Sequence, residues 1–363
     1  MKDKKTVSAK INSKLFVVAI FLFCFVTQRT LAQDIHFSQF DFSPLTLNPA
    51  TAGAQHAMQA IFNYKDQWQS VATPYKTIAF SYDMRFRTKK TSKKGFAAAG
   101  INFFSDKAGD AKIGTSQGNL TGAYHVVLNS YNTVGAGFQV GFAQHSMNAG
   151  ALQWGNQYDV SAFNPGLFSG ETSNMSNSFS YADLSGGIFW NFDNAMGSDP
   201  VINNHAFKGN FGLAFFHVNQ PGYSYYASSD SKLYMKTVVH GGMLYGIPNS
   251  CFSLVPSFVY TRQGPSQEIF AGALFRYATL RDDARYTGFK SGAAISAGIF
   301  VRAKDAVTAT VLLEYSSYSF GVSYDINTSG LQTASAKKGG LELSLRFAFP
   351  NPFNPKMSRS IFY

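Results

Sequence analysis

Near its C-terminal end the chain alternates between apolar and polar side chains with a period of two. In the run GGLELSLRFAF (Gly339–Phe349), one face carries three leucines and two phenylalanines, and the other carries Glu342, Ser344, Arg346 and Ala348. Successive side chains of a β-strand point to opposite faces, so the pattern predicts a strand between apolar and aqueous surroundings. Runs of about ten residues are long enough for tilted strands to cross a bilayer.

The same alternation recurs along the chain and predicts about fourteen strands. We place them at residues 56–68, 74–86, 95–105, 115–129, 131–147, 178–192, 205–217, 236–247, 250–262, 268–278, 290–301, 305–316, 318–326 and 339–349. No stretch has sustained helical periodicity. The sequence therefore predicts an all-β protein, a transmembrane antiparallel β-barrel at residues 56–349.

An even number of strands places both termini at one end of a barrel, which is the periplasmic end in bacteria. The predicted turns at that end are short, for example 129–132, 248–250 and 316–317. The two longest connections, 148–177 and 218–235, then face the outside. This division between short and long connections is the one expected for an outer-membrane barrel.

The first residues have the features of a secretory signal peptide. A lysine-rich start precedes the apolar run Leu15–Val26, which is too short to cross a membrane as a helix. Thr30-Leu31-Ala32 fits a cleavage site with small residues, so we expect cleavage after Ala32. Residues 1–32 are therefore left out of the fold prediction, and export to the outer membrane of a Gram-negative bacterium is expected.

Removal of residues 1–32 reduces the basic character of the chain. The whole chain has 31 Lys+Arg and 20 Asp+Glu, for a net charge of +11. The signal contains six of the basic residues and one of the acidic residues, which leaves 25 and 19, or +6. No basic helix or stacked aromatic motif remains, so nucleic-acid binding is not expected. The composition, with 16% aromatic and 14% charged residues, is typical of a barrel and not of a soluble domain.

Two segments lie outside the predicted strands. Residues 33–55 are rich in aromatic residues, proline and asparagine, and do not alternate, so we expect them to pack inside or across the periplasmic mouth. Residues 350–363 (PNPFNPKMSRSIFY) are proline-rich and basic, and form a predicted periplasmic tail. Either segment could dock a partner or fill the lumen.

No catalytic or metal-binding motif stands out, so we expect no enzymatic activity, no cofactor and no metal. The acidic pairs Asp282–Asp283 and Asp106–Asp110 are interpreted as turns, because the oxygen-rich pattern of a calcium loop is missing. Charged residues within strands are expected to face the lumen, where they neutralise one another or line water; these are Asp83, Arg85, Glu314, Glu342 and Arg346. Aromatic residues near strand ends are expected to form an interfacial girdle; these are Tyr64, Trp68, Tyr82, Phe86, Trp190 and Tyr260.

A series of short motifs resembles the PorP/SprF family, outer-membrane proteins of the type IX secretion and gliding machinery of Bacteroidetes. The opening QDIHFSQFDFSPLTLNPATAGA (Gln33–Ala54) is similar to the start of family members. Further motifs follow in order along the chain: NYKDQW, SYD, SDKAGD, WGNQYD, FHVNQP, HGG, QGPSQEI, YDINTS and GGLELSL. The resemblance covers essentially all of the mature chain but not the tail after Phe349.

The resemblance implies a fourteen-stranded barrel without enzymatic activity, working beside the type IX translocon. Some family members hold a secreted adhesin at the cell surface by its C-terminal domain. Others are linked to periplasmic ring or lipoprotein components. The residues of the opening motif that we single out for partner binding or for plugging the barrel are Phe37, Gln39, Phe40, Asn48, Pro49 and Gly53.

Two other functions remain open. The same barrel could serve as a diffusion pore or a transporter of hydrophobic solutes, with residues 33–55 as its plug. An outer-membrane enzyme such as a lipase is the least favoured, because no Gly-x-Ser-x-Gly elbow frames a nucleophile. Conductance of single molecules in a lipid bilayer would separate a pore from an anchor.

Overall fold

The fold is given by a computed structural model that describes residues 34–68, 73–86, 94–159, 162–170, 175–194, 207–226, 229–248, 250–280, 293–330, 333 and 335–349. The predicted signal 1–32, the pair Asp282–Asp283 and the tail 350–363 lie outside these residues. Within the described part of the chain, no helix combines the length and apolar character needed to cross a bilayer.

Fourteen antiparallel strands of the described chain close into one barrel, in which β1 pairs with the last strand, β16. The barrel strands are β1 (Met58–Gln67), β2 (Tyr75–Phe86), β3 (Gly95–Ala108), β4 (Ile113–Val127), β5 (Asn132–Ser146), β8 (Ser178–Asp193), β9 (Phe207–Phe216), β10 (Lys236–Gly246), β11 (Phe252–Gln263), β12 (Ser266–Leu280), β13 (Ala293–Arg302), β14 (Ala306–Tyr315), β15 (Tyr318–Asn327) and β16 (Lys338–Phe349). Two-residue strands β6 (Tyr158–Asp159) and β7 (Ala162–Phe163) form a hairpin between β5 and β8. The predicted fold is confirmed, and no predicted strand boundary is more than three residues from the observed one.

Alternation along each strand sets which side chains face the lipid and which face the lumen. In β14, Thr308, Thr310 and Glu314 are buried inside the barrel, whereas Val311 and Leu313 are exposed on its outer face. In β16, Leu341 faces outward, and Glu342, Ser344 and Arg346 are buried. The outer face is therefore apolar, as a bilayer requires, because a charge there would cost about 2–4 kcal/mol near the midplane.

The two ends of the barrel differ in the length of their connections. We call the end at which β1 begins and β16 ends the terminal end, and the opposite end the loop end. The long connections 147–177 and 217–235 both lie at the loop end. The loop 147–177 contains β6, β7 and two 3-10 turns, Ala149–Ala151 and Gly155–Gln157. The terminal end includes short turns such as 316–317 and corresponds to the predicted periplasmic side.

The interior of the barrel is occupied by residues 34–57, which we call the lumenal segment. Its only regular elements are single turns: a 3-10 turn at Phe40–Phe42, an α-helical turn at Pro44–Leu47 and a 3-10 turn at Pro49–Thr51. Phe40 packs among inward-facing apolar side chains of the wall, namely Ala214, Phe216, Val238, Val259, Phe270 and Phe300. The inner wall is thus partly apolar where the segment covers it, which differs from the uniformly wet interior that alternation predicts.

Candidate functional site

The lumenal segment passes through the barrel from the loop end to the terminal end. Its first described residue, Asp34, bonds to Gln263 at the loop-end terminus of β11. Near its other end, Gly53 donates its backbone N–H to Asp83, close to the terminal end of β2, at 2.8 Å. The segment therefore reaches beyond the mouth at which β1 begins and extends to the opposite mouth.

The backbone of the segment is irregular because two prolines and an asparagine interrupt it. Pro44 and Pro49 each occupy the start of a single turn, where the missing N–H leaves no bond unmade. Asn48 caps the second turn by accepting from the N–H of Ala50 at 2.9 Å. Wall side chains bond some of the backbone groups that these short turns leave unpaired: Asn63 donates to the carbonyl oxygen of Phe42, and Gln139 donates to that of Leu45.

At the loop end, the segment is held by a cluster of charged groups around His217, which follows β9. Nδ1 of His217 lies 2.8 Å from Oδ1 of Asp183, and Nε2 lies 2.7 Å from Oδ2 of Asp34. The Nζ atom of Lys236 is 3.6 Å from the same Asp34 carboxylate. We call these four residues the loop-end latch.

The latch residues outside the strands have shifted pKa values. Burial lowers the pKa of His217, but the carboxylates of Asp34 and Asp183 outweigh burial and raise it to about 9. Burial also raises the pKa of Asp34, but His217 and Lys236 outweigh that effect and hold it well below its usual value. A protonated His217 between two carboxylates is therefore the stable state at neutral pH.

Further into the barrel, one wall carboxylate binds the backbone of the segment. The two oxygens of Glu342 accept the N–H groups of Ser38 and Gln39 at 2.8 and 2.7 Å. Lys65 lies 3.8 Å from Glu342 and donates to the carbonyl oxygen of His36 at 2.9 Å. Bonds from a charged carboxylate to backbone N–H groups are among the stronger hydrogen bonds in proteins.

A second charged pair holds the side chain of Ser38. The Ser38 hydroxyl donates to Asp325 at 2.9 Å and accepts from Arg302 at 2.8 Å. Arg302 also pairs with Asp325 at 3.3 Å and with Glu268 at 3.3 Å. This hydroxyl therefore sits between opposite charges contributed by β13 and β15.

The middle of the segment is fixed by Asn48, which is fully buried. Its side-chain amide donates to the carbonyl oxygen of Ile188 at 2.9 Å and lies 3.1 Å from Nε2 of His240. The following turn runs against β5, where a Cβ atom on Gly137 would lie 2.5 Å from the backbone of Pro49 and Ala50. The backbone of the segment and the strand can approach this closely only because Gly137 has no side chain.

At the terminal end, two wall side chains bind the last part of the segment, and a third binds Asp41 and Phe42. Arg85 donates to the carbonyl oxygens of Gly53 and Ala54 at 2.7 and 2.8 Å. His125 lies 2.8 Å from the carbonyl oxygen of Ala52. Arg346 donates to the Asp41 carbonyl oxygen and lies 4.1 Å from the ring centre of Phe42. Most of these wall contacts reach backbone atoms, so they fix the path of the segment.

The structure buries all six residues that the sequence analysis singled out, and places them together in the lumen: Phe37, Gln39, Phe40, Asn48, Pro49 and Gly53. Their contacts are with the barrel wall; Gln39, for example, donates to Ser323. Gly53 has a φ of +62°, in the left-handed region, and a Cβ atom there would lie 2.7 Å from Ala98.

The charged wall residues lie inside the barrel as predicted, but most of their partners differ from the prediction. Asp83, Arg85, Glu342 and Arg346 bind backbone groups of the lumenal segment, and Glu342 also lies 3.8 Å from the wall residue Lys65. Glu314 does form an ion pair, with Arg276 at 2.7 Å. The lumenal residues that bind Glu342 and Asp83 are 303 and 30 positions away in sequence. Alternation within a strand cannot reveal such partners.

Sequence reasoning missed the loop-end latch and the Arg302–Asp325 pair. Asp34 and His217 lie within the motifs DIHF and FHVNQP, but the motifs do not indicate that the two side chains are in contact. The interpretation of Asp106–Asp110 as a turn is wrong for Asp106, which lies in β3 and accepts from Thr77 at 2.6 Å. Asp110 does lie in the turn after β3 and accepts from Thr73. Among the described residues, no group of three histidine, cysteine or carboxylate side chains has the arrangement of a metal site.

Aromatic side chains close over the lumen at the loop end. Tyr223 and Tyr225, from the connection 217–235, pack edge-to-face against Phe179 with ring centres 5.1 and 5.0 Å apart. His145 also contacts both tyrosine rings, at 5.1 and 5.3 Å. Together with the latch, these rings cover the entrance above the lumenal segment.

These features define a class of protein: an outer-membrane β-barrel whose lumen is filled by its own N-terminal segment. Residues 30–347 match the family described as type IX secretion system membrane protein PorP/SprF. The chain belongs to this family, which confirms the resemblance drawn from its motifs and the outer-membrane location. No curated protein matches the chain.

Solved structures similar to this chain are barrels of low sequence identity. The KdgM porin is 7% identical, with a TM-score of 0.33, over 80% of this chain and 99% of that one. The translocator domain of the autotransporter NalP from Neisseria meningitidis is 10% identical, with a TM-score of 0.34, over 86% and 96%. The TodX deltaS2S3 mutant monoaromatic hydrocarbon channel is 10% identical, with a TM-score of 0.42, over 84% and 92%. Scores this low support no transfer of function.

Proposed function

We propose that this protein is a closed outer-membrane anchor of the type IX secretion system, which holds a secreted adhesin at the cell surface by its C-terminal domain. The observation that carries the proposal is the lumenal segment, bonded to the wall from the loop-end latch to Arg85. The segment blocks the conduction path through the lumen, and its bonds to the wall make the barrel more rigid. Rigidity suits a protein that must resist pulling on a surface partner.

The loop end supplies a surface for such a partner. Apolar side chains project from its long connections, with exposed fractions of 72% for Phe168, 55% for Tyr158 and 54% for Tyr234. Exposed aromatic residues of this kind are typical anchors of protein interfaces. The terminal end would contact the translocon, or periplasmic ring or lipoprotein components. Only membership of the family suggests these partners.

The experiment that tests the anchor is deletion of the gene, followed by immunodetection of adhesins on intact cells. We expect the surface adhesin to be retained or degraded, and display to return with the wild-type gene. Phe168→Ser combined with Tyr158→Ser should reduce display while the barrel still assembles. The control is Ile299→Ser, which removes a similarly exposed apolar side chain from the outer face of the barrel. It should leave display unchanged. Normal display in the deletion strain would refute the proposal.

The second candidate is a diffusion pore or transporter of hydrophobic solutes. It is favoured by one observation, a cavity of about 170 Å³ that remains beside the lumenal segment at the terminal end. Planar-bilayer recordings separate the two functions, since a barrel closed by its own segment should be silent. A stable open conductance of the full chain would support the pore.

A further inference from the structure

The lumenal segment leaves a pocket in the terminal half of the barrel. The pocket has a volume of about 170 Å³ and lies between the segment and the wall strands β8 to β14. Its inner end lies beside the buried rings of Phe40 and Phe300, whereas Gln55, which lines its outer end, is exposed. The pocket therefore opens toward the terminal end of the barrel and ends inside the lumen.

The apolar part of the pocket has room for one ring. Its walls include the side chains of Leu244, Leu274, Phe300 and Leu312. A cavity of roughly 150 Å³ with such a lining binds a benzene molecule. The size and lining of the pocket therefore fit a ligand built on a single six-membered ring.

The charged side chains that line the pocket already have partners. Four of them form two ion pairs, Arg276 with Glu314 at 2.7 Å and Lys208 with Asp193 at 3.2 Å. The fifth, Asp41, interacts electrostatically with Arg346, which also donates to the Asp41 carbonyl oxygen. Burial of a charged ligand without a partner is costly, so the pocket favours a neutral one.

Two hydroxyl groups of the lining residues have no hydrogen-bond partner among the described residues. They are Oγ of Ser296 on β13 and Oγ1 of Thr310 on β14, whose residues are 1% and 7% exposed. Buried polar groups generally have a partner. Ser296 is opposite Leu312 in the strand register, so Ser296 and Thr310 are diagonal neighbours on the inner face. Side chains at this spacing are close enough for one ligand oxygen to bond to both.

We propose that this pocket binds a neutral single-ring molecule with one hydroxyl group, such as a phenol or an aryl alcohol. The ring lies against Leu274, Phe300 and Leu312. The ligand hydroxyl donates to one of the two wall hydroxyls and accepts from the other, since a hydroxyl group can do both at once. The ligand enters from the terminal end.

The proposed binding site is independent of the anchoring role. The pocket ends inside the barrel beside Phe40 and Phe300, so binding neither requires nor excludes passage of a solute across the membrane. A silent barrel in planar-bilayer recordings and a saturable site for the ligand are therefore compatible. Failure of either proposal leaves the other in place.

Equilibrium dialysis of p-cresol against the full-length protein in lipid nanodiscs tests the site, with empty nanodiscs subtracted to correct for partition into lipid. We expect saturable binding of one p-cresol per barrel. Toluene, which has the same ring and methyl group but no hydroxyl, should bind about tenfold more weakly, the effect of losing its hydrogen bonds. p-Toluate should not bind, because its carboxylate would be desolvated without a partner.

Removal of the two wall hydroxyls separates ligand binding from a structural role. Ser296→Ala combined with Thr310→Val should lower the affinity for p-cresol about tenfold, to that of toluene. Thermal unfolding without ligand should not change, because neither hydroxyl has a partner among the described residues. The matched control, Ser180→Ala with Thr237→Val, removes hydroxyls near the loop-end termini of β8 and β10, outside the pocket, and should bind p-cresol normally.

A variant that fills the pocket provides a second test. Leu274→Trp should abolish saturable binding of both p-cresol and toluene, because the indole ring takes the place of the ligand. If this variant does not assemble, the double variant of Ser296 and Thr310 decides. Uptake of p-cresol without saturation, equal affinities for p-cresol and toluene, or unchanged p-cresol affinity in the double variant would each overturn the proposal.

Discussion

At the scale of single residues, the barrel wall serves as a binding site for the backbone of its own N-terminal segment. Glu342 accepts two successive N–H groups, and Arg85 donates to two successive carbonyl oxygens. Such bonds replace those of a helix or sheet, so an irregular chain is stable in a closed interior. Strand alternation places each wall charge inside the barrel, whereas the lumenal segment supplies the backbone groups to which it bonds.

Replacement of Gly137 by alanine should destabilise the protein. The new Cβ would lie 2.5 Å from backbone atoms of Pro49 and Ala50, so the segment must shift. Overpacking of this kind typically costs about 1–3 kcal/mol. Gly122→Ala is the matched control, because Gly122 faces outward on the neighbouring strand with no atom within 4 Å. Thermal unfolding in detergent, followed by circular dichroism, measures the difference; equal transitions would contradict the close approach.

Replacement of Asn48 by alanine should also lower stability. The substitution leaves the Ile188 carbonyl oxygen and His240 without the amide partner, at a position where Asn48 and His240 are both buried. We expect a loss of about 1–3 kcal/mol. Asn177→Ala, in the exposed connection 147–177, should change little. The temperature at which the barrel loses its compact electrophoretic mobility in dodecyl sulfate reports both effects.

At the scale of elements, the strands and the lumenal segment differ in how sequence encodes them. Each strand has a period of two and was located within three residues. The segment has no period, and its path is fixed by contacts with strands that are distant in sequence. At the loop end, the segment is held by the charged groups of the latch.

The latch should open as the pH rises. Because the pKa of His217 is raised to about 9, its stabilising contribution is complete below the ordinary value of 6.5 and is lost as pH rises through about 9. Asp34 has the opposite shift, so its contribution is present above 3.8 and is lost on acidification. His217 contacts the carboxylates of Asp34 and Asp183, and Lys236 contacts Asp34.

A spin label near Asp34 can follow this opening. The label, attached at Ile35→Cys in the Cys251→Ser background, should become more mobile between pH 7 and pH 10, reversibly. His217→Gln should leave the label mobile throughout this range. His145→Gln, which changes a neighbouring histidine outside the ion cluster, should keep the pH dependence. Unchanged mobility up to pH 10 in the otherwise unaltered protein would argue against a charge-based latch.

At the scale of the whole molecule, the N-terminal segment enters the lumen at one end and continues into β1 at the other. Asp34 lies at the loop end although β1 begins at the terminal end. If the terminal end is periplasmic, Asp34 lies next to the external loops, on the cell-surface side of the membrane.

Labelling of intact cells tests this topology. Ile35→Cys in the Cys251→Ser background should react with a membrane-impermeant maleimide, as should the loop-end variant Ser231→Cys. Ser317→Cys, in the short turn at the terminal end, should react only after the outer membrane is permeabilised. If Ile35→Cys behaves like Ser317→Cys, then the orientation or the path of the segment is not as described.

The sequence alone determined the number of strands, their positions, and which side chains face lipid. These follow from local alternation, because each strand meets the same two environments along its whole length. The sequence also indicated which residues of the opening motif are candidates for plugging the barrel, although not which wall residues they contact.

Only the tertiary structure decided that residues 34–57 extend through the entire barrel, and that Glu342, Arg85 and His217 bind them. These contacts join groups far apart in the chain, and no local pattern encodes a pairing between a period-two strand and an aperiodic segment. The lipid-facing surface is thus determined by the periodicity of each strand, whereas the closed lumen depends on the chain as a whole.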